Sequence, residues 1–147
     1  MSDISTMAFA FQNTYALSTV ALPTSCPSLT AFNSAFAGSG IQEISLPTTV
    51  GSTISLGNAF TSCQGLSSIT IPNGWNITGT MTNAFNACRN LNTLNLPSNA
   101  QNSITDMTSA FANCVNLENL TLTGDQEFLR EANGISESKI IKCFTKN

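Results

Sequence analysis

The sequence predicts an α/β repeat solenoid, and three observations carry the prediction. Phenylalanine recurs at positions 11, 36, 60, 85 and 111, each time preceded by alanine, at steps of 25, 24, 25 and 26 residues. Within each repeat the apolar spacing changes: from Met107 through Phe111, Cys114, Leu117 and Leu120 the steps are four and three, one face of a helical turn, and the final step to Leu122 is two, the spacing of a strand. Such a unit cannot stand alone. About five large side chains at roughly 1.5–3 kcal/mol each do not offset about 1–2 kcal/mol of backbone entropy for every ordered residue, so units of this period stack on copies of themselves.

The elements follow in order. Four residues before each Phe stands Met7, Phe32, Leu56, Met81 or Met107, and before these stand Thr6, Ala31, Ser55, Thr80 and Asp106. The side-chain oxygens of four of them suit a helix N-cap; Ala31 has none, so the second coil's helix should start more loosely. After the Phe come Leu17, Ile41, Leu66, Leu91 and Leu117, then Val20, Ile44, Ile69, Leu94 and Leu120, then Leu22, Leu46, Ile71, Leu96 and Leu122. The last two columns are the inward side of a short strand, and stacked coils set these strands side by side about 4.8 Å apart in a parallel sheet. Pro23, Pro47, Pro72 and Pro97 close the strand, having no N–H for a ladder. Coil two takes five steps from Phe36 to Ile41 where the others take six, a shortening that removes the Cys of the repeat, and Gly38 and Gly40 suit the tighter path by tolerating positive φ.

About five coils of 24–26 residues therefore occupy residues 1–124, and a charge shift marks the end of the stack. Asp3, Glu43, Arg89, Asp106 and Glu118 are the only charges before Asp125, whereas eight fall in residues 125–147. Those residues read as a cap of two short helices, one started by Asp125 and stopped at Asn133-Gly134, the other started by Ser136. The N-terminal edge has no such device in Met1 to Thr6, so either local structure blunts it or another chain covers it, in a homo-oligomer or a larger assembly.

Of 147 residues only 9% are charged, none is His, and the net charge is −3, which makes nucleic acid and an anionic membrane poor partners. No apolar run approaches the roughly 20 residues of a membrane helix. No basic leader precedes an apolar segment, which fits a cytoplasmic product, a virion component or a piece of a longer chain. Catalysis is disfavoured: the usual base for a Ser or Cys nucleophile is missing, and Glu43, Asp106 and Glu118 occupy different registers and coils, so no carboxylate pair converges. No phosphate-binding glycine loop appears, and no cofactor is implied. Cys63, Cys88 and Cys114 hold one register in successive coils; without paired CxxC spacing they read as buried thiols and not as a metal site.

The outward strand positions are the one surface presented in rows: Thr19 and Ala21, Glu43 and Ser45, Ser68 and Thr70, Thr93 and Asn95, Asn119 and Thr121. Ser68, Thr70, Thr93, Asn95, Asn119 and Thr121 form the candidate binding face, a small, polar, uncharged ribbon suited to a flat protein surface or a glycan. Trp75, the only tryptophan, follows a Pro-Asn-Gly turn and is either a partner anchor beside this face or folded over the apolar edge of its own coil.

The motif in Met81 to Pro97, MTNAFNACRNLNTLNLP, and in Met107 to Leu122, MTSAFANCVNLENLTL, resembles the BspA-like leucine-rich repeat family. The resemblance covers about five coils, and coils three to five match best; coil one has Thr14 in place of Cys. It implies a right-handed, curved solenoid with a parallel sheet along one side, and relatives that look like surface adhesion and host-interaction proteins, with similar repeats in virion proteins of large phages. The reading that results is a non-enzymatic structural or interaction module, foremost a virion surface component such as a phage fibre or decoration subunit contacting protein or glycan. A bacterial cell-surface adhesin fragment is the alternative, and a polysaccharide-cleaving solenoid the third.

Overall fold

A computed structural model describes residues 3–97 and 104–121. Among these residues seven short strands, all paired in parallel, run β1 Thr19–Ala21, β2 Glu43–Ser45, β3 Ser68–Thr70, β4 Gly79–Thr80, β5 Thr93–Asn95, β6 Ile104–Asp106 and β7 Asn119–Thr121. The strand predicted in each coil is present. β1 pairs with β2 through Val20 and Ile44, and β3, β5 and β7 form one ladder through Ile69, Leu94 and Leu120. Each of these central residues faces inward and its two neighbours face outward. One more bond prolongs the ladder past the strand end, Leu22 N–H to Ser45 and Ile71 N–H to Asn95, and the proline that follows stops it.

The five phenylalanines form one internal column. Rings 11, 36, 60, 85 and 111 stack face to face, with centroids 4.9, 5.6, 5.3 and 6.0 Å apart and interplanar angles of 9°, 2°, 6° and 7°. Phe36, Phe60, Phe85 and Phe111 are fully buried, as are Phe32, Leu56 and Met81 in the column four residues earlier. In coil one the matching Met7, Phe11, Leu17, Val20 and Leu22 are only partly buried, because no coil lies on their other side among the described residues.

The helical part of the expectation is corrected. No helix occurs among the described residues; the Met-to-Cys stretch of each coil is a run of turns. The N–H groups of Ala10, Ala35, Ala59, Ala84 and Ala110 donate to the carbonyl three residues back, and so do those of Ser39, Cys63, Cys88 and Cys114. The third residue of every such turn has positive φ: Phe9, Ser34, Asn58, Asn83 and Ser109 in the first turn, and Gly38, Ser62, Ala87 and Asn113 in the second; Asn13 has it at the matching place in coil one, where the Thr14 hydroxyl donates to the Phe11 carbonyl at 2.7 Å. That is the type II signature, met largely by Asn, Ser and Gly. The N–H groups left over point at the next coil: those of Met7, Phe9, Phe11 and Asn13 donate to Ala31, Asn33, Ala35 and Ala37 at 2.7–3.1 Å, and the pattern repeats along the stack. A helix would have spent these donors internally; the turns spend them between coils, and so bind the stack on this side as the sheet does on the other.

The cap residues keep their chemistry in a different setting. Thr6, Thr80 and Asp106 accept from the N–H two residues on, at 3.1, 2.9 and 2.8 Å. They also lie on a second line of parallel bridges, Thr6 to Ala31, Ala31 to Ser55 and β4 to β6. The Thr108 side chain and N–H, with Thr82, hold the Asp106 carboxyl below the usual carboxylate range. The expected cap over residues 125–147 and the domain boundary at 124 lie outside the described residues.

Coil two differs from the expectation in detail. Ser39, three residues after Phe36, takes the place that Cys63, Cys88 and Cys114 hold after their own Phe, so the position is kept and only the residue type changes. Ser39 is buried, and its hydroxyl accepts from the Ile41 N–H at 3.2 Å. Gly38 has the positive φ expected of it, at 71°. Gly40 does not, and is glycine for want of room: a Cβ there would stand 2.1 Å from the carbonyl oxygen of Tyr15. Because backbone blocks the space, Gly40→Ala is expected to lose about 3 kcal/mol, the upper range for overpacking, read as a lower urea midpoint.

Candidate functional site

Every outward ribbon position lies on the sheet as expected, but the structure divides the ribbon into two halves. In the C-terminal half the side chains bond to each other. Asn95 Nδ2 donates to Thr70 Oγ1 at 3.1 Å, Thr93 Oγ1 to Asn92 Oδ1 at 3.1 Å, and Asn119 Nδ2 to Asn92 Oδ1 at 3.1 Å and Thr93 Oγ1 at 3.5 Å. Thr93, Asn95 and Asn119 are half-buried in this network. Thr121 pairs through its backbone with Asn95.

The N-terminal half is open. Thr19, Glu43, Ser45 and Ser68 make no side-chain hydrogen bond among the described residues, and they line a concavity of about 430 Å³ across β1, β2 and β3. No ladder joins β2 to β3, so the concavity sits over a break in the sheet. Of the six ribbon residues singled out from sequence, Ser68 alone lines it. The row periodicity showed all ten outward positions equally; which of them satisfy one another depends on Asn92, which lies outside that pattern.

Trp75 is not part of any surface. It is fully buried, packs edge-on to Phe32 with centroids 5.5 Å apart, and donates from Nε1 to the Pro47 carbonyl at 2.6 Å. It is folded inward, as the second alternative has it, but against the preceding coil and not its own, because a ring this large with its N–H satisfied gains more inside than at a rim. Leu29, Ile54, Ile77 and Ile104 are buried in the same core, at positions outside the repeat columns.

The cysteine column is interior. The thiols of Cys63, Cys88 and Cys114 each donate to the carbonyl of the Phe one coil back, Phe36, Phe60 and Phe85, at 3.0 Å. Burial pushes the Cys63 thiol from an ordinary value of 9.0 up to about 12, and burial with the neighbouring thiols pushes Cys88 up as well. Raised values favour the neutral thiol in the folded state, so this stability is whole below pH 9 and is lost as pH rises from about 9 through about 12. Alkylation by iodoacetamide at pH 8 is expected to spare Cys26, Cys63, Cys88 and Cys114 in the native protein and to modify them in urea; native labelling, mapped by peptide mass, would show the column to be accessible. Cys26, outside this column, is also buried in the core.

Glu43 lies on β2 and Asp106 on β6, in different sheets, and Glu118 is exposed just before β7. No group of three or more His, Cys, Asp or Glu residues converges among the described residues. No helix there is long and apolar enough to cross a membrane.

The pattern for BspA type leucine rich repeat regions matches residues 4–133 in six copies. The chain belongs to this family. The leucine-rich repeat match runs past Gly124 and counts one copy more than the five phenylalanine coils. Among solved structures, a leucine rich cell surface protein from Faecalibacterium prausnitzii is similar at 26% identity and a TM-score of 0.57, over 90% of this chain and 33% of that one. The leucine-rich repeat protein of T. pallidum is similar at 23% identity and a TM-score of 0.50, over 77% of this chain and 60% of that one, which speaks for the fold alone. This leucine-rich repeat chain thus spans a third and three-fifths of the two. No curated protein sequence matches it. Leucine-rich repeat proteins of this kind generally serve as surface and interaction modules and are generally not enzymes.

Proposed function

We infer that the protein is a non-enzymatic, surface-displayed interaction module that docks a protein partner on the N-terminal half of its ribbon. The observation that carries this is the concavity over β1, β2 and β3, lined by Thr19, Glu43, Ser45 and Ser68, whose side chains are not spent on one another. Polar groups without internal partners can exchange water for a partner's groups at little cost, whereas the Thr70–Asn95–Asn119 half would first have to break its own bonds. A cell-surface adhesin is the favoured setting, supported by the likeness to the F. prausnitzii surface protein. The virion reading is supported by composition, 9% charged and rich in Asn, Ser and Thr.

Two measurements test this. Mass spectrometry of envelope fractions against purified phage particles from the source culture should find the protein in the envelope; finding it enriched in particles would select the virion setting, and an interior soluble location would end the surface reading. Ser45→Arg should weaken binding to intact target cells about tenfold, a loss of about 1.4 kcal/mol, with an unchanged urea midpoint, and protease treatment of the target should abolish binding. Binding that survives Ser45→Arg would remove the ribbon from the interface. Incubation with a polysaccharide panel should release no new reducing ends; a turnover abolished by Glu118→Gln would make the protein an enzyme.

A further inference from the structure

The shortening of coil two coincides with a second recess, which shares no lining residue with the ribbon concavity. Tyr15 and Gln64 stand four residues after Phe11 and Phe60, in coils one and three; the same place in coil two is Gly40. Gly40 has no side chain and is held against coil one by its N–H to the Thr14 carbonyl at 3.1 Å. A Cβ would strike the Tyr15 backbone, so the gap cannot be filled by a larger residue at this position. Beside it lies a recess of about 300 Å³, lined by Tyr15, Ser62 and Gln64 together with Gly38, Ser39, Gly40 and Gly65. Its flanking side chains come from coils two repeats apart, about 9.6 Å at a strand spacing of ~4.8 Å, which admits one flat ring.

Three properties choose the ligand. Tyr15 is 76% exposed, the most exposed large apolar side chain described, and it borders a recess instead of covering core. The side-chain polar groups of Tyr15, Ser62 and Gln64 make no hydrogen bond among the described residues. No charged side chain lines the recess. An aromatic face beside a few convergent, unspent, uncharged polar groups fits a molecule that is apolar on one face and hydroxylated at its rim. We propose that this recess binds one neutral hexopyranose unit of a glycan, its C–H face against the Tyr15 ring and its hydroxyls at Ser62 and Gln64. An acidic sugar finds no cation here. The site is separate from the ribbon and adds a glycan contact to the protein contact inferred there.

Tyr15 is the only tyrosine, so tyrosine-selective isotope labelling gives ring resonances that report this recess alone. The intact protein is titrated with cellotetraose, maltotetraose and mannotetraose, with an oligogalacturonate as the anionic control and an unstructured neutral peptide as the competing ligand class. At least one neutral tetrasaccharide should shift the tyrosine resonances saturably, with no shift from the galacturonate or the peptide. Calorimetry should show the same saccharide bound roughly tenfold more weakly, about 1.4 kcal/mol, by Tyr15→Ala and by Gln64→Ala, with unchanged urea midpoints, and equally well by Ser45→Arg. No shift from any neutral saccharide, a response to the galacturonate or peptide instead, or a loss through Ser45→Arg and not through Tyr15→Ala would overturn the proposal. Because Ser45→Arg and Tyr15→Ala are read separately, failure here leaves the ribbon reading standing, and the reverse.

Discussion

Phe85→Ala is expected to destabilise the protein by about 3–5 kcal/mol, the range for emptying a buried aromatic site. The ring is fully enclosed and stacks on both faces, with Phe60 at 5.3 Å and Phe111 at 6.0 Å, so its loss opens a cavity and ends two aromatic contacts at once. In a solenoid each coil's stability comes largely from its neighbours, and a cavity in coil four therefore weakens the interfaces with coils three and five together. Phe11→Ala is the internal comparison. That ring is half-buried and stacks on Phe36 alone, so its loss should cost roughly half as much. Thr70→Ala, on the exposed face, should change stability by about 0.5 kcal/mol or less. Urea midpoints that ranked Thr70→Ala above Phe85→Ala would invert the assignment of inside and outside.

Trp75→Ala is expected to cost a similar amount, about 3–5 kcal/mol, and for a reason the repeat pattern does not contain. Trp75 is buried against Phe32, and its indole N–H is spent on Pro47 of the preceding coil. Trp75→Phe separates the two contributions: it keeps most of the apolar volume, removes the hydrogen bond, and leaves the Pro47 carbonyl buried without that donor, which should cost about 1–3 kcal/mol. Since this is the only tryptophan, its fluorescence reports the site directly. Emission of a buried indole that shifts to the red on unfolding is expected; native emission already at the solvent-exposed wavelength would place the ring outside and restore it as a surface anchor.

The stack was legible because its determinants are local and repeated. Phe at five positions and the paired strand columns at Val20/Leu22 through Leu120/Leu122 fix the period and the inward face, and nothing distant is needed to read them. The turn-containing side reads as helix in the sequence because steps of four and three satisfy both a helix and two linked type II turns. Two positions per coil separate the alternatives, and Asn13, Asn58, Asn83, Asn113 and Gly38 at those positions were a signal for positive φ that the apolar columns overshadowed. Similarly, Gly38 and Gly40 look alike in sequence, yet one is needed for its φ and the other because the Tyr15 backbone leaves no room for a Cβ. The candidate face was legible as a set of outward positions and not as a site.

By itself, then, the sequence determined the repeat, the inward columns and the sheet, since a pattern of burial recurring every two dozen residues leaves stacking as the way to remove it from water. Tertiary structure decided where the leftover polar groups went. The N–H of Phe9 finds Asn33, the thiol of Cys88 finds Phe60, the indole of Trp75 finds Pro47, and Asn95 finds Thr70, every one of them a partner 24 to 28 residues away. Hydrogen bonds between coils depend on the register and distance of two backbones that neither coil's residues specify alone. That is why the turns, the buried tryptophan and the split between an occupied and an open half of the ribbon emerged only when the coils were set side by side.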